Sequence, residues 1–307
     1  MRGRSSILKY IMNIHDNDLK KTRDLWIENG QVRYAELPRD PYGVFQMNTK
    51  EFDIFPGKIT IDSQAGEAFR EGNGISYVKR LLLYGFTSFI HLIDINYETD
   101  TTERLRFERE SLVKCPVDYI HAVRVPLSRI SESWIRNLKQ QSVPIIILTA
   151  ESAYELAATP WQRIVEAMFP RRILLLCEAS EKVSENEKIE IASSWNRIID
   201  TFRLNSFFSF PLPGSTISPF LAKRIGLYPK KGSLVMGSDA DYVMYSILLK
   251  DKPVRLPDVI ILRGKIVKYG AKWCLSNIKG QELMSLVPEK FLPIQDIFRY
   301  EDMDNAL

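Results

Sequence analysis

Cysteine and histidine are both scarce in this sequence, with three of each among 307 residues. The cysteines, Cys115, Cys177 and Cys274, form no CxxC pair and no even-numbered framework. This spacing excludes a zinc knuckle and a disulfide scaffold as the basis of the fold. Thiols without a disulfide pattern are typical of a reducing compartment, so the sequence predicts a cytoplasmic protein.

Long apolar runs are missing as well. No window approaches the roughly 18 uncharged apolar residues of a membrane-spanning helix, so no membrane partner is predicted. The chain begins Met1-Arg2-Gly3-Arg4 and continues with mixed polar residues, without the apolar centre of a signal peptide. The net charge is only +4, and Lys and Arg are spread along the chain. This distribution predicts no nucleic-acid partner.

What the sequence does contain is a regular alternation of apolar β-rich runs and helical patterns between residues 58 and 211. The runs follow one another at intervals of roughly 25 to 35 residues, the length of a βα unit. Several are nearly continuous in Ile, Leu and Val, as in strands buried on both faces of a parallel sheet. The six predicted strands are KITID from Lys58, TSFIHLID from Thr87, DYIHAVRV from Asp118, VPIIILT from Val143, RILLLC from Arg172 and SFFSF from Ser206. The predicted fold class is α/β with a parallel sheet, either a barrel or an open sheet.

Short β-rich segments flank this region on both sides. Asn29-Gly30 separates two of them and is a strong hairpin turn signal. After residue 232 the pattern again predicts strands, over residues 241–245, 259–262 and 265–267. We predict one small β-sandwich domain built from residues 1–57 and 227–275, a (β/α) domain over residues 58–226, and a C-terminal tail over residues 276–307.

Local signals mark several helix starts and loops. Capping boxes that begin at Asp100, Thr159 and Ser184 predict the first turns of three helices. The adjacent basic pairs Lys230-Lys231 and Arg171-Arg172 are predicted to be solvated loop charges.

Three segments fit one known arrangement: FPGKITIDSQAG at 55–66, KKGSLVMGSDADYV at 230–243 and DVIILRGKIV at 258–267. Together they resemble the amidohydrolase superfamily, in particular its dihydroorotase, hydantoinase and allantoinase branch. The resemblance covers roughly residues 23–270, and KKGSLVMGSDADYV is its most specific part. It implies a TIM-like (β/α) barrel, a β-domain entered through a helix–loop–strand element, and metal-dependent hydrolysis.

The metal ligands of that family do not carry over. The resemblance implies two histidines after the first strand, often a carbamylated lysine after the fourth, further histidines after the fifth and sixth, and an aspartate after the eighth. Such ligands hold the cations that activate a water molecule. Here the two first-strand positions are Gln64 and Gly66, and the histidines are His15, His91 and His121. The sequence therefore predicts that the divalent metal site is lost and that no cofactor is bound.

Acidic residues at the predicted strand ends are the residual catalytic candidates, namely Asp62, Asp94, Glu151 and Glu178. Carboxylates that meet in space hold Mg²⁺ or Ca²⁺ or perform acid–base catalysis. The alternative is that each carboxylate caps a helix or bonds to a loop. Cys177 has no neighbouring histidine to activate it, so we predict a buried structural cysteine.

The barrel region is short. Lys58 and Gly226 are 168 positions apart, whereas an eightfold barrel takes about 250 residues. Either one or two βα units are missing or very short, or the pattern leaves strands unrecognised. An incomplete barrel exposes strand edges that the tail or a second subunit would cover, so a homo-oligomer or a protein partner is one expectation.

Two functions stay open at this point. The first is a non-catalytic pseudoenzyme with a scaffold, regulatory or ligand-binding role, as in the inactive members of the superfamily that the sequence resembles. The alternative is a hydrolase acting on carbon–nitrogen (non-peptide) bonds of cyclic amides through an atypical or metal-free site.

Overall fold

The computed structural model describes residues 9–16, 21–34, 45–170, 173–206, 211, 213–249 and 255–283. Its strands are Lys9–Asp16 (β1), Lys21–Glu28 (β2), Gln31–Tyr34 (β3), Phe45–Met47 (β4), Phe52–Pro56 (β5), Lys58–Asp62 (β6), Phe86–Asp94 (β7), Asp118–Pro126 (β8), Ile145–Ala150 (β9), Leu174–Ala179 (β10), Tyr242–Ser246 (β11), Val259–Leu262 (β12), Lys265–Tyr269 (β13) and Lys272–Trp273 (β14). Its α-helices are Ala65–Arg70 (α1), Gly74–Leu83 (α2), Thr101–Leu112 (α3), Glu132–Gln140 (α4), Ala153–Ala158 (α5), Trp161–Met168 (α6), Glu185–Phe202 (α7) and Pro219–Ile225 (α8).

The centre of the molecule is a parallel sheet of five strands, β6 to β10, that pair in chain order. One face of each strand packs against the connecting helices, where Val123 and Ile146 meet Trp134 of α4 and Trp195 of α7. The result is a mixed α/β fold with a curled, half-barrel sheet. Five of the six predicted strands are confirmed, and residues 207–210 of the sixth lie outside the described residues.

The other, concave face of the sheet is covered by α8. Leu221 and Ile225 of this helix share one apolar cluster with Ile61, Ile90 and Ile147 of the sheet. Apolar side chains therefore fill the inside of the curled sheet below its carboxyl edge.

The chain between α7 and α8 also covers part of both edges of the parallel sheet. At the β6 edge, the Gly214 N–H donates to Ile61 O over 2.9 Å. At the β10 edge, the Leu175 N–H donates to Asn205 O over 3.0 Å. At these two points the backbone groups of the edge strands are hydrogen-bonded by an internal segment, rather than by the predicted tail or a second subunit.

Two antiparallel sheets lie outside the half-barrel, in the orders β3-β2-β1-β4 and β14-β13-β12-β11-β5. β5 precedes the parallel sheet in the chain and pairs with β11, which follows it. Apolar side chains of both sheets, among them Leu25 and Tyr242, meet in one cluster. The predicted turn at Asn29-Gly30 joins β2 to β3, and both residues have the positive φ, 54° and 76°, that such turns require.

A group of charged residues, all buried except the partly exposed Arg263, connects the half-barrel to the β11–β13 region. This Lys231 cluster consists of Asp118, Lys231, Asp239, Asp241 and Arg263. Lys231 is only 1% exposed, and its Nζ lies 2.9 Å from Asp239 Oδ2 and 2.6 Å from Asp241 Oδ2. Nζ also contacts Asp118 at the start of β8, and so does Arg263 from the turn between β12 and β13.

The Lys231 cluster corrects one prediction. Lys231 is not a solvated loop charge, because Asp118 of β8 and two aspartates of the following segment, Asp239 and Asp241, converge on it. Its neighbour Lys230 is partly exposed, and Arg171-Arg172 lie outside the described residues.

Helices α3, α6 and α7 begin at or next to the three predicted capping boxes, so the predicted helix starts are confirmed, but only one box makes its capping hydrogen bond. Ser184 does cap α7, since its Oγ accepts the Glu187 N–H over 3.3 Å. Asp100 makes no such bond, and the Thr159 hydroxyl donates backwards to Glu155 O over 2.7 Å.

Cys177 is buried, as predicted. Within the described ranges, no helix has the length and apolarity needed to cross a bilayer.

Candidate functional site

Four polar side chains from successive strands meet at the carboxyl edge of the parallel sheet. We call them the Arg124 group: Asp94 of β7, Arg124 of β8, Thr149 of β9 and Glu178 of β10. Side chains alternate between the faces of a strand. Each member stands two residues after an apolar member of the concave cluster, namely Leu92, Ala122, Ile147 and Leu176. The group is therefore a polar layer directly above the apolar filling of the half-barrel.

The guanidinium of Arg124 lies between the two carboxylates. Its Nη1 is 3.1 Å from Asp94 Oδ1, and its Nε is 2.7 Å from Glu178 Oε1. The Thr149 hydroxyl donates to the same Glu178 oxygen over 3.4 Å. The side chains of Asp94, Glu178 and Arg124 are 63%, 36% and 32% exposed, so solvent reaches all three.

Two carboxylates and one guanidinium leave the Arg124 group with one net negative charge when all are ionised. Burial raises the pKa of Glu178, and the charge of Arg124 offsets this only in part. Glu178 therefore takes up a proton more readily than an ordinary surface glutamate.

The structure thus brings together two of the four acidic candidates. Asp62, by contrast, is buried on the helix side of β6, where its Oδ1 accepts the N–H groups of Gln64 and Ala65 over 3.0 and 2.7 Å. Its other oxygen contacts the Tyr77 hydroxyl. Glu151 is exposed in the loop after β9, where its own N–H donates to Glu155 Oε2 over 2.9 Å. Asp62 caps a helix, and Glu151 lies in a loop.

The two positions that correspond to the family's first histidines begin α1. Gln64 is exposed and lines an open depression of about 490 Å³ between α1 and α2. Gly66 is buried, and a Cβ at this position would lie 2.2 Å from Glu108 Oε2. The Glu108 carboxylate is held there by Arg70, at 3.0 Å, and by His91, at 3.1 Å.

This packing makes position 66 a poor place for an imidazole. Gly66→His is expected to lower the free energy of unfolding by about 1–3 kcal/mol, because the new side chain must displace a buried carboxylate. Gln64→His, at the exposed partner position, is expected to stay within about 0.5 kcal/mol of wild type. Urea denaturation of both variants compares them. Equal stabilities would mean that the Glu108 carboxylate moves aside at little cost.

The histidines lie away from the Arg124 group. His91 and His121 alternate with Ile90 and Ile120 of the concave cluster, so they point to the helix side of the sheet, where both are buried. His15 belongs to β1, in a different sheet. The burial of His91 and His121 agrees with the sequence pattern, which places both within strands rather than at their carboxyl ends.

Sequence reasoning missed Arg124, although a signal was present. The run DYIHAVRV was recognised as a strand of the parallel sheet, and Arg124 is the one charged residue in its second half. A cation near the carboxyl end of a parallel strand stands where such folds carry their polar sites.

No family model and no curated protein matches this sequence. Solved structures do match by shape. D-hydantoinase is 13% identical, with 90% of this chain and 98% of that chain covered and a TM-score of 0.52. Dihydropyrimidinase from Brevibacillus agri NCHU1002 is 10% identical, with 90% and 98% covered and a TM-score of 0.53. A triazine hydrolase variant is 8% identical, with 88% and 96% covered and a TM-score of 0.52. At these identities the similarity is one of fold, and it supports the mixed α/β class with a curled parallel sheet.

Proposed function

We propose that this protein is a non-catalytic, ligand-binding relative of the amidohydrolases, and that the Arg124 group binds a small polar ligand. The observation that carries the proposal is the position of the Arg124 guanidinium between Asp94 and Glu178 at the carboxyl edge of the half-barrel. Binding sites of barrel-like α/β folds lie at this edge.

The residues present do not fit the divalent metal centre that the fold resemblance implies. Such a centre uses imidazole and carboxylate ligands around an open coordination position. Both carboxylates of the Arg124 group already face a guanidinium, and His91 and His121 point to the other face of the sheet. A metal ion at this edge would have to sit beside a fixed positive charge, which Coulomb repulsion opposes.

The chemistry of the Arg124 group favours a ligand with hydrogen-bond donors and acceptors side by side. A guanidinium offers only donors, and a carboxylate offers only acceptors. An amide or ureide group presents N–H and C=O together and would satisfy both. The partial exposure of the group leaves it open to such a ligand, which is why we favour a binding role over a purely structural scaffold.

Metal analysis of the purified protein, combined with a substrate panel, tests this proposal. We expect no stoichiometric zinc or manganese and no turnover of hydantoin, dihydroorotate, allantoin or N-acyl amino acids. Nucleobase-like compounds with adjacent N–H and C=O groups are expected to raise the melting temperature, because a ligand that binds only the folded state stabilises it. One equivalent of tightly bound metal per protein chain would contradict the proposal.

A hydrolase acting on carbon–nitrogen bonds of cyclic amides is the second candidate. It is favoured by the similarity in fold to D-hydantoinase, and by Glu178, a partly buried carboxyl with a raised pKa that suits acid–base work. Turnover of any panel member that is lost in Glu178→Gln and retained in Glu151→Gln would support this candidate over the first.

A further inference from the structure

Residues 279–283, which we call the clasp, lie along the first residues of β8. β9 pairs with β8 only from Ala122 onward, which leaves the preceding residues of β8 open on that side. The clasp takes this position: the Tyr119 N–H donates to Gln281 O over 3.1 Å, and the Leu283 N–H donates to Tyr119 O over 2.6 Å. The clasp therefore extends the parallel sheet where β9 has not yet begun.

Side chains add a second set of contacts to the clasp. Arg109 of α3 holds Glu282 with two nitrogens, Nε at 3.0 Å from Oε2 and Nη2 at 3.0 Å from Oε1. Arg263 donates to Lys279 O over 2.6 Å. The Leu283 side chain is buried in the concave apolar cluster.

Beneath the clasp lies a buried histidine, His121. His121 is 1% exposed, and neither ring nitrogen has a hydrogen-bond partner among the described residues. Its Nε2 is 3.9 Å from Glu282 Oε1. The ring of His91 is 5.6 Å away and that of Tyr119 5.3 Å away, centroid to centroid.

The charges around His121 already favour the positive sign. It faces His91 from β7, Glu108 and Arg109 from α3, and Glu282 from the clasp. Glu108 is paired in addition with two further arginines, Arg70 and Arg104. Of the three arginines only Arg109 acts on His121 directly, and the charge of Glu108 is already shared among Arg70, Arg104 and His91. Protonation of His121 would place a charge in a buried environment and close to the positive charge of Arg109. Both effects disfavour the protonated form.

We propose that the clasp is acid-sensitive: protonation of His121 releases residues 279–283 from β8. Release frees the Tyr119 edge, breaks the Arg109–Glu282 pair and withdraws Leu283 from the concave cluster. The device is independent of any ligand at the Arg124 group, so it stands or falls separately from the proposed function.

The direction of the pH effect follows from the folded-state pKa. Burial, the neighbouring His91 and the charge of Arg109 hold the pKa of His121 well below its ordinary value. When the clasp is open, His121 is exposed to solvent and is expected to titrate near pH 6.5. The open form therefore binds more protons than the closed form below that pH. The clasp is thus closed above about pH 6.5 and loses stability as the pH falls below it, by up to about tenfold in the opening equilibrium per pH unit. The pKa of Glu108 lies at about 2, so this carboxylate stays ionised throughout.

Hydrogen exchange measured by mass spectrometry at about pH 7.5 and about pH 5.5 tests the proposal, with rates corrected for intrinsic exchange. We expect the bonded amides of Tyr119 and Leu283 to lose protection on acidification, together with those of Gly280 and Gln281, which donate to Cys115 O and Asp118 Oδ1. The amides of β9 should stay protected. His121→Phe keeps the ring volume without the titrating group and is expected to abolish the response. His121→Gln serves if that variant fails to fold, and His15→Gln in β1 is expected to retain the wild-type response.

NMR titration of the histidine rings in the wild-type protein measures the protonation of His121 without any substitution that could alter the fold. We expect the His121 resonance to change together with the loss of protection. The proposal is overturned if clasp protection does not change with pH, if it rises in acid, or if it falls equally in the His121 variants.

Discussion

Replacing Lys231 with methionine is expected to lower the free energy of unfolding by about 3–5 kcal/mol, because it leaves buried carboxylates without their counter-charge. Lys231 Nζ contacts Asp118, Asp239 and Asp241, and all of these residues are buried. Arg263 then remains as the second cation of the cluster, in contact with Asp118. One guanidinium does not balance three carboxylates in a medium of low polarity.

Chemical denaturation of Lys231→Met beside Lys230→Met measures this effect with a matched control. Both changes remove one lysine charge from the same loop, but Lys230 is partly exposed and Lys231 is buried. Lys230→Met is expected to stay within about 0.5 kcal/mol of wild type. If the two variants lost equal stability, the buried ion pairs would not be the reason that position 231 matters.

The loss in Lys231→Met should depend on pH in a defined direction. Burial by itself raises the pKa of Asp118, and in the intact protein the charges of Lys231 and Arg263 outweigh burial and hold it below its ordinary value. Without Lys231 the burial effect dominates, so the folded variant binds protons more readily than its unfolded chain. Its stability therefore rises as the pH falls, and the deficit relative to wild type should shrink toward about pH 4. A deficit that grew in acid would contradict this account.

Local patterns predicted the parts of the fold that depend on near neighbours in sequence. The apolar runs placed β6 to β10 correctly, and Asn29-Gly30 placed the turn between β2 and β3. The boxes at Asp100 and Thr159 marked helix starts but not the capping hydrogen bond, because other local structure replaces it: a short 3₁₀ turn ends at Asp100, and the Thr159 hydroxyl bonds back to Glu155 O in α5. Motif letters do not carry this information.

Features that arise from pairing between distant segments were not predictable in the same way. Lys230 and Lys231 are indistinguishable as a pair of loop lysines, and Lys231 becomes a buried ion because Asp239 and Asp241 of the same segment and Asp118 of β8 converge on it. The meeting of Asp94 with Glu178 likewise depends on the register of four strands around Arg124. From the sequence, all four acidic candidates were equally plausible site residues. The strand register places Asp94 and Glu178 beside Arg124 and leaves the other two elsewhere.

If Arg124 occupies the position of a bound cation, its removal should create a site for an external one. In Arg124→Ala the Asp94 and Glu178 carboxylates lose the guanidinium that lies 3.1 and 2.7 Å away. The contact to Asp94 is a hydrogen bond and the contact to Glu178 is an ion pair; a hydrogen bond between charged groups contributes about 1.5–3 kcal/mol in favourable settings. Partial exposure reduces that figure here, so the stability loss should be modest. The larger effect is expected on binding: any ligand of the Arg124 group should bind Arg124→Ala at least about tenfold more weakly, the equivalent of one such bond.

Thermal unfolding of Arg124→Ala with methylguanidinium, Mg²⁺ or Mn²⁺ tests this idea without an identified ligand. Methylguanidinium should stabilise the variant and not the wild type, because only the variant has free carboxylates of the right separation. Divalent cations should also stabilise the variant, since freed carboxylates are ligands that Mg²⁺ and Mn²⁺ prefer. Arg129→Ala is the control, because that guanidinium contacts Asn96 O and the Tyr97 ring instead of the two carboxylates. Equal stabilisation of wild type by Mn²⁺ would mean that metal binds despite Arg124, and the hydrolase candidate would then take precedence over the binding role.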